Sequence, residues 1–215
     1  LLAHNNGRNW SLSGGLDGVG AYDGHHDVFN NVVYNWGSRA TDGGSHEINF
    51  VGNYYKMGPS TSQSTLLNLQ LEGTGTGTQS AYVSGNIRQA KDNGSIQEDK
   101  KGTTYKYSLS GGQKLDWTPF VDKPFFESLA TVETARAAYK NVLSDVGVNQ
   151  PFLDNHDERM ISETIQGSYS AKGSRSGKKG LIDSEEDSGC EGFGGLNIYE
   201  ARRNADWDTD QDGMP

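Results

Sequence analysis

The chain has 215 residues, of which 33% are hydrophobic and 29 are glycine, and its formal net charge is −9. The length suits one domain with a sizeable core, the glycine content disfavours a helical bundle because glycine weakens helix interiors, and the acidic balance disfavours nucleic acid as a partner. No apolar run approaches the ~18 residues that would span a membrane, and Cys190 is the single cysteine, so no disulfide forms within the chain. An acidic polymer would be repelled at long range by this charge. It would need local cations, from a basic groove or a metal ion.

The opening stretch "LLAHNNGRN" (1–9) runs from apolar residues to Arg8, which is flanked by asparagines. A theme then recurs in "DVFNNVVYNWG" (27–37), "EINFVGNYYKMGP" (47–59) and "AYVSGNIRQ" (81–89). Each has apolar alternation, an Asn and a short β-prone run. Asn31 and Asn53 are 22 residues apart, Asn53 and Asn86 are 33 apart, and "LLAHN" fits one coil earlier. Strand repeats of roughly 20–30 residues without intervening helices read as a β-solenoid. Asparagines at equivalent corners would then stack and bond the neighbouring coil's backbone. Three ordinary hairpin turns that happen to contain Asn remain open on spacing alone.

"GTGTGTQSA" (73–81) reads as a low-complexity loop or an edge extension, and "NGSIQEDKKGTT" (93–104) as a polar surface loop. From 131 to 146 the apolar positions Val132, Ala135, Tyr139, Val142, Leu143 and Val146 have helical spacing, with Thr131 as the cap, Glu133 in the first turn and Gly147 as the stop. A second short helix is predicted over 157–166, ended by Gly167. Both helices should pack outside the β-structure or at its end. "AKGSRSGKKG" (171–180) carries Lys172, Arg175, Lys178 and Lys179, and is either a solvated Gly/Ser loop or a flexible basic lip that touches an acidic polymer. "DSEEDSG" (183–189) reads as a plain surface loop.

Near the C-terminal end, "DWDTDQDG" sets Asp206, Asp208, Asp210 and Asp212 at alternate positions before Gly213. From Asp208 this matches the front of an EF-hand-like Ca²⁺ loop, whose closing Glu would lie past Pro215. A solvated acidic turn is the other reading. His4, His25, His26, His46 and His156 show no zinc spacing with Cys190, and no nucleophile–base constellation is legible. Trp10, Trp36, Tyr54 and Tyr55 would line a sugar groove or serve as core and surface stacks. Both ends read as cut from a larger protein.

"HNNGRN", "FNNVVYNWGSRATDGG" and "INFVGNYYKMGPST" together resemble the C-terminal part of a bacterial pectate lyase of polysaccharide lyase family 1. Members carry an H-N-x-x-R-N-P-like strand end, then F-x-N-N-V-x-Y-N-W-G, then a N-Y-Y-K-x-G-P coil. The stretches "LIDSEEDSGC" and "ADWDTDQDGMP" resemble the end of the longer members, so the likeness covers most of the chain. It implies an all-β chain, a right-handed parallel β-helix with one or two short helices in its C-terminal half. Residues 1–127 would be C-terminal coils and 128–215 an extension packed on them, with earlier coils of the same protein as partner.

The resemblance also implies Ca²⁺-dependent β-elimination of polygalacturonate to 4,5-unsaturated oligogalacturonides, outside a bacterial cell or at its surface. Arg8 falls on the family's catalytic arginine, the group proposed to take the C5 proton. The main Ca²⁺ carboxylates would precede Leu1, with Asp206, Asp208, Asp210 and Asp212 as a further Ca²⁺ site. Trp10 stands where the family has Pro, and Ser11 stands near its second basic position. Arg39 or Lys56 is then expected to supply the missing charge, with Trp10 as a substrate contact. The alternatives are a pectin lyase acting without Ca²⁺ and a non-catalytic carbohydrate-binding β-helix, in which Arg8 pairs with a carboxylate on a neighbouring coil.

Overall fold

Alternation of period two carries the strands. In "LNLQL" the three leucines are buried while Asn68 and Gln70 face outward. Such a strand buries one face only. The computed structural model describes residues 1–99, 103–110, 114–148 and 153–189. The first coil comprises β1 (Leu2–Ala3), β2 (Ser11–Ser13) and β3 (His25–Phe29), and the second β4 (Val32–Tyr34), β5 (Thr41–Gly44) and β6 (Glu47–Val51). The third comprises β7 (Tyr54–Lys56), β8 (Leu67–Leu71) and β9 (Ser80–Ser84). After these come β10 (Ile87–Gln89), β11 (Ile96–Glu98), β12 (Tyr105–Leu109) and β13 (Phe120–Val121), then α1 (Ala135–Asp145) and α2 (Asn155–Gln166).

The strands form three sheets, ordered β1-β4-β7-β10-β11, β12-β8-β5-β2 and β13-β9-β6-β3. Through the first three coils every strand pairs in parallel with the one three places later. This connectivity is consistent with a parallel β-helix. The one antiparallel pair between named strands is β10–β11, which turns part of the expected polar loop at 93–104 into a hairpin strand. The glycine-rich stretch at 73–81 is an edge extension, since Thr76 bridges Ala21 in parallel.

Inside the coils lie Val33, Trp36, Phe50, Tyr55 and the leucines of β8. The recurring asparagines stack, as expected, at the corner between the third and first sheets. Asn53 Oδ1 accepts both the backbone N–H and the side-chain amide of Asn31, each at 3.0 Å. Asn86 Oδ1 accepts the same two groups of Asn53, each at 2.9 Å. The Asn86 amide ends the ladder on Phe50 O at 2.8 Å and the Tyr105 hydroxyl at 3.0 Å. Asn5 is not part of it. Leu2 pairs with Val33, so "LLAHN" runs alongside β4 but places His4, not an Asn, beside Tyr34 O at 2.9 Å.

The helices cover the outer face of the first sheet, which explains why all three residues of β4 and of β7 are buried. Tyr54 stacks on Tyr139 with ring centroids 4.4 Å apart. α1 begins later than expected, with Thr134 rather than Thr131 as its cap, accepting from Ala137 N. Asn30 causes the delay. Its side chain accepts Glu133 N at 2.7 Å and donates to Glu133 O at 2.8 Å, which pins Glu133 to the coil. α2 starts two residues before the expected 157, because Asp154 caps it by accepting the N–H groups of His156 and Asp157. It ends at Gly167 in the left-handed region, as expected.

Asn53→Ala should be among the most damaging single changes to this fold. It removes the Oδ1 that accepts the Asn31 backbone N–H and the amide that reaches Val28 O and Asn86 Oδ1 in a buried corner, at about 1–3 kcal/mol for each unsatisfied group, although the backbone N–H of residue 53 still reaches Asn86 Oδ1. Urea unfolding should show a loss of about 3–5 kcal/mol, whereas a loss under about 1 kcal/mol would mean that the ladder is not stabilising.

Candidate functional site

The turn at residues 4–10 lies on the turn at residues 35–42 of the next coil. Gly37 N donates to Asn5 O at 3.1 Å, Ser38 N to Asn6 O at 2.8 Å, and Asn9 N to Ala40 O at 2.8 Å. Asn9 is fully buried, its amide donates to Arg39 O at 3.2 Å, and its carbonyl accepts the Thr41 hydroxyl at 3.2 Å. Arg8 stands between these clamps with φ of 58°, and Trp10 follows with φ of 125°. Non-glycine residues at such angles are strained, and the surrounding hydrogen bonds hold them there. Proline, fixed near −65°, could not adopt the backbone of Trp10, so the departure from the family's Pro matches the local conformation. The Arg8 side chain is exposed. It makes no ion pair or hydrogen bond among the described residues, so the neighbouring-coil pairing weighed for it is not formed there.

Beyond this turn, the register lines up outward-facing residues of the second sheet. Ser11 on β2 pairs with Asp42 on β5, Asp42 with Asn68 on β8, and Asn68 with Lys106 on β12. At about 4.8 Å per strand, the row from Ser11 to Lys106 spans about 14 Å. A groove of about 300 Å³ runs here, lined by Arg39, Asp42, Gln63, Asn68, Gln70 and Lys106 among others. Asp42 is 3% exposed, and its carboxylate holds the half-exposed Arg39 guanidinium at 3.0 Å. Lys106 is exposed. Asp42, Asn68, Gln70 and Lys106 were not legible as a group, and the signal that could have marked Asn68 and Gln70 as outward is the alternation in "LNLQL".

The other expected site residues scatter. Arg39 lies on the groove wall and Trp10, 44% exposed, on the turn above β2. Lys56 does not reach a polymer. It is 1% exposed because the helices lie over β7, and its ammonium donates to Ile165 O at 2.8 Å and to the Tyr139 hydroxyl at 3.4 Å. Trp36 and Tyr55 are core side chains and Tyr54 lies under α1, so of the four aromatics only Trp10 can face a sugar. Asp206, Asp208, Asp210 and Asp212 lie outside the described residues. Among the described residues, no group of three or more His, Cys, Asp or Glu side chains is placed to hold a metal ion.

His4 belongs to a buried staple. Its Nε2 lies 2.7 Å from Glu163 Oε2 of α2, and its Nδ1 lies 2.8 Å from the Asn35 amide. Burial pushes the Glu163 carboxyl up, but the contacts from His4 and Ser170 outweigh it and hold the group at about 2. Burial lowers the Lys56 ammonium to about 8. Glu163 therefore contributes stability above pH 4.5 that is lost as pH falls towards 2. Lys56 acts in the opposite window. Between pH 8 and 10.5 the unfolded chain binds more protons, so stability rises with pH there. Urea midpoints measured across these windows should show both slopes. Lys56→Met should flatten the alkaline rise and leave the acid fall unchanged; equal alkaline slopes in both proteins would remove Lys56 as the cause.

A strand-rich chain of parallel coils, with an open polar groove below a strained exposed arginine, is the class of protein defined so far. Comparison with known proteins narrows it. The chain is 28% identical over 201 residues to a probable pectate lyase C of Aspergillus flavus, covering 89% of this chain and 41% of the relative. It is 30% identical over 194 residues to a probable pectate lyase C of Emericella nidulans, covering 89% of this chain and 39% of the relative. The chain thus spans about two fifths of the length of these curated relatives. No family model matches it. The likeness is thus to part of two proteins that bear the name probable pectate lyase. Both relatives are fungal, so the bacterial origin implied by the resemblance finds no support in them.

Proposed function

We propose that the chain is the arginine-bearing part of a pectate lyase, with a right-handed parallel β-helix, that cleaves polygalacturonate outside the cell by β-elimination. The observation that carries this reading is Arg8, strained, exposed and unpaired among the described residues, within the motif shared with pectate lyases. The handedness agrees with the general rule for parallel crossovers. The relatives' names support the activity.

In this reading the Arg8 guanidine takes the C5 proton next to a uronate carboxylate. The C5–H electron pair forms the C4–C5 double bond, the C4–O bond breaks, and the leaving oxygen takes a proton from solvent or a nearby donor. No water is consumed. Arginine gives up its proton only in strongly alkaline solution, so the reaction should favour alkaline conditions. Arg39, anchored by Asp42, and Lys106 line the groove and in this reading would meet uronate carboxylates. Ca²⁺ dependence rests on the resemblance alone. The described residues supply no carboxylate cluster for the ion, and no step here passes through it.

Arg8→Lys in the intact protein tests the assignment. Lysine keeps the charge but is shorter and lacks the planar fork. A misplaced base should lower kcat by at least ~10²-fold, and loss of the base by up to ~10⁴-fold, with KM nearly unchanged. The readout is unsaturated uronate formed from polygalacturonate with Ca²⁺ added. A variant that keeps most of the kcat would make Arg8 a structural residue. Activity of the wild type on methylated pectin alone would favour a pectin lyase.

A further inference from the structure

The basic stretch at 171–180 is neither a free solvated loop nor part of the groove. Gly180 N donates to Ala171 O at 2.8 Å and Gly173 N to Lys178 O at 3.0 Å, closing a tight hairpin. The hairpin is docked on the turns that carry the candidate site. Its Lys179 carbonyl accepts the Asn35 amide and the Ser60 hydroxyl, each at 2.9 Å. The Lys178 ammonium donates to Asn6 Oδ1 at 2.6 Å, two residues before Arg8. Gly180 makes the close approach possible. Its φ is 86°, and a Cβ there would lie 2.3 Å from His4 Nδ1.

This geometry holds like charges together. Lys172 and Lys179 pair directly across the hairpin, and like charges opposite one another are destabilising without a counterion. The acidic side chains that follow are tied mainly to the hairpin backbone, with Asp183 also lying near the Arg175 guanidinium, which reaches Asp183 O at 3.4 Å. Asp183 Oδ2 accepts the backbone N–H groups of Arg175 and Ser176 at 2.8 and 2.6 Å, and Asp187 Oδ2 accepts that of Ser174 at 3.0 Å. Glu186 takes the Ser184 hydroxyl at 2.5 Å. Lys172, Arg175 and Lys179 are exposed. The Lys179 ammonium lies over the Tyr169 ring, 5.6 Å from its centroid. In a chain of net charge −9, four cations are gathered on one hairpin that is docked beside the Arg8 turn.

We propose that residues 171–180 form a polyanion-binding lip, in which Lys172, Arg175 and Lys179 grip the uronate carboxylates of an acidic polysaccharide as it passes the Arg8 turn. The substrate class rests on the function proposed above; the lip is a binding element separate from the groove. It gives the acidic protein the local cations that an acidic polymer requires.

The test uses the intact protein with Lys172, Arg175 and Lys179 all changed to Gln, leaving Lys178 to hold Asn6. A control changes the exposed Lys114, Lys123 and Lys140 to Gln, which removes equal charge elsewhere. Binding is measured by retardation in gels containing polygalacturonate, at low and high salt, and elimination is assayed in parallel. Each screened pair contributes on the order of a two- to threefold effect. The lip variant should therefore bind about tenfold more weakly, with a smaller salt dependence, a raised KM and an unchanged kcat. The control should match the wild type. Equal binding by the lip variant and the control would overturn the lip and leave the lyase reading standing. A wild type that is retarded through these residues but forms no unsaturated product would overturn the lyase reading and keep the lip. A wild type that is not retarded at all would overturn the lip.

Discussion

The amide of Asn53 is hydrogen-bonded at both ends, to Asn31 on one coil and to Asn86 on the next. A buried amide has donors and acceptors that must be met, and only one axial register of the three coils meets them here. The ladder therefore fixes more than its own corner. With that corner in register, the second sheet has Ser11, Asp42, Asn68 and Lys106 in a single line. A slip of one residue on any strand would turn its outward side chain into the core and break the row.

The same register stacks the turn of Arg8 on the turn of Arg39. Backbone contacts through Asn5, Asn6 and Asn9 leave the Arg8 backbone no room to relax. Its left-handed conformation is thus imposed by the coil below, and its side chain is directed by the scaffold. The C-terminal segment adds a second constraint. Its helices seal the outer face of the first sheet, burying Lys56, and the Glu163–His4–Asn35 staple ties α2 to both turns. The row-bearing face of the second sheet keeps its exposed polar side chains. The Lys56 ammonium and the Glu163 carboxylate are buried on the sealed side, while the open groove carries Lys106 exposed and Arg39 half-exposed over the buried Asp42.

Much of this was legible because the ladder is written as recurring asparagines, and because a left-handed helix stop at Gly167 needs only one glycine. Arg8 was legible only through its motif, since composition and spacing say nothing of a base. Lys56 was misread because a sequence records a charge and not the helices that cover it. Thr131 was a plausible cap until Asn30, about a hundred residues earlier, claimed both backbone groups of Glu133. The groove residues were missed for a related reason: Asp42, Asn68 and Lys106 lie far apart in sequence and meet only when three strands are in register. The four alternating aspartates at 206–212 lie outside the described residues, and their reading as a Ca²⁺ site stays a proposal.

The central claim is a bond broken without water, by a base carried on a coil turn. It is tested most directly by digesting polygalacturonate with the intact protein in heavy-oxygen water and weighing the fragments. Elimination predicts one unsaturated end per cleavage and no water added to the summed mass of the two fragments. One heavy oxygen gained per cleavage, with no unsaturation, would show hydrolysis and would contradict the account.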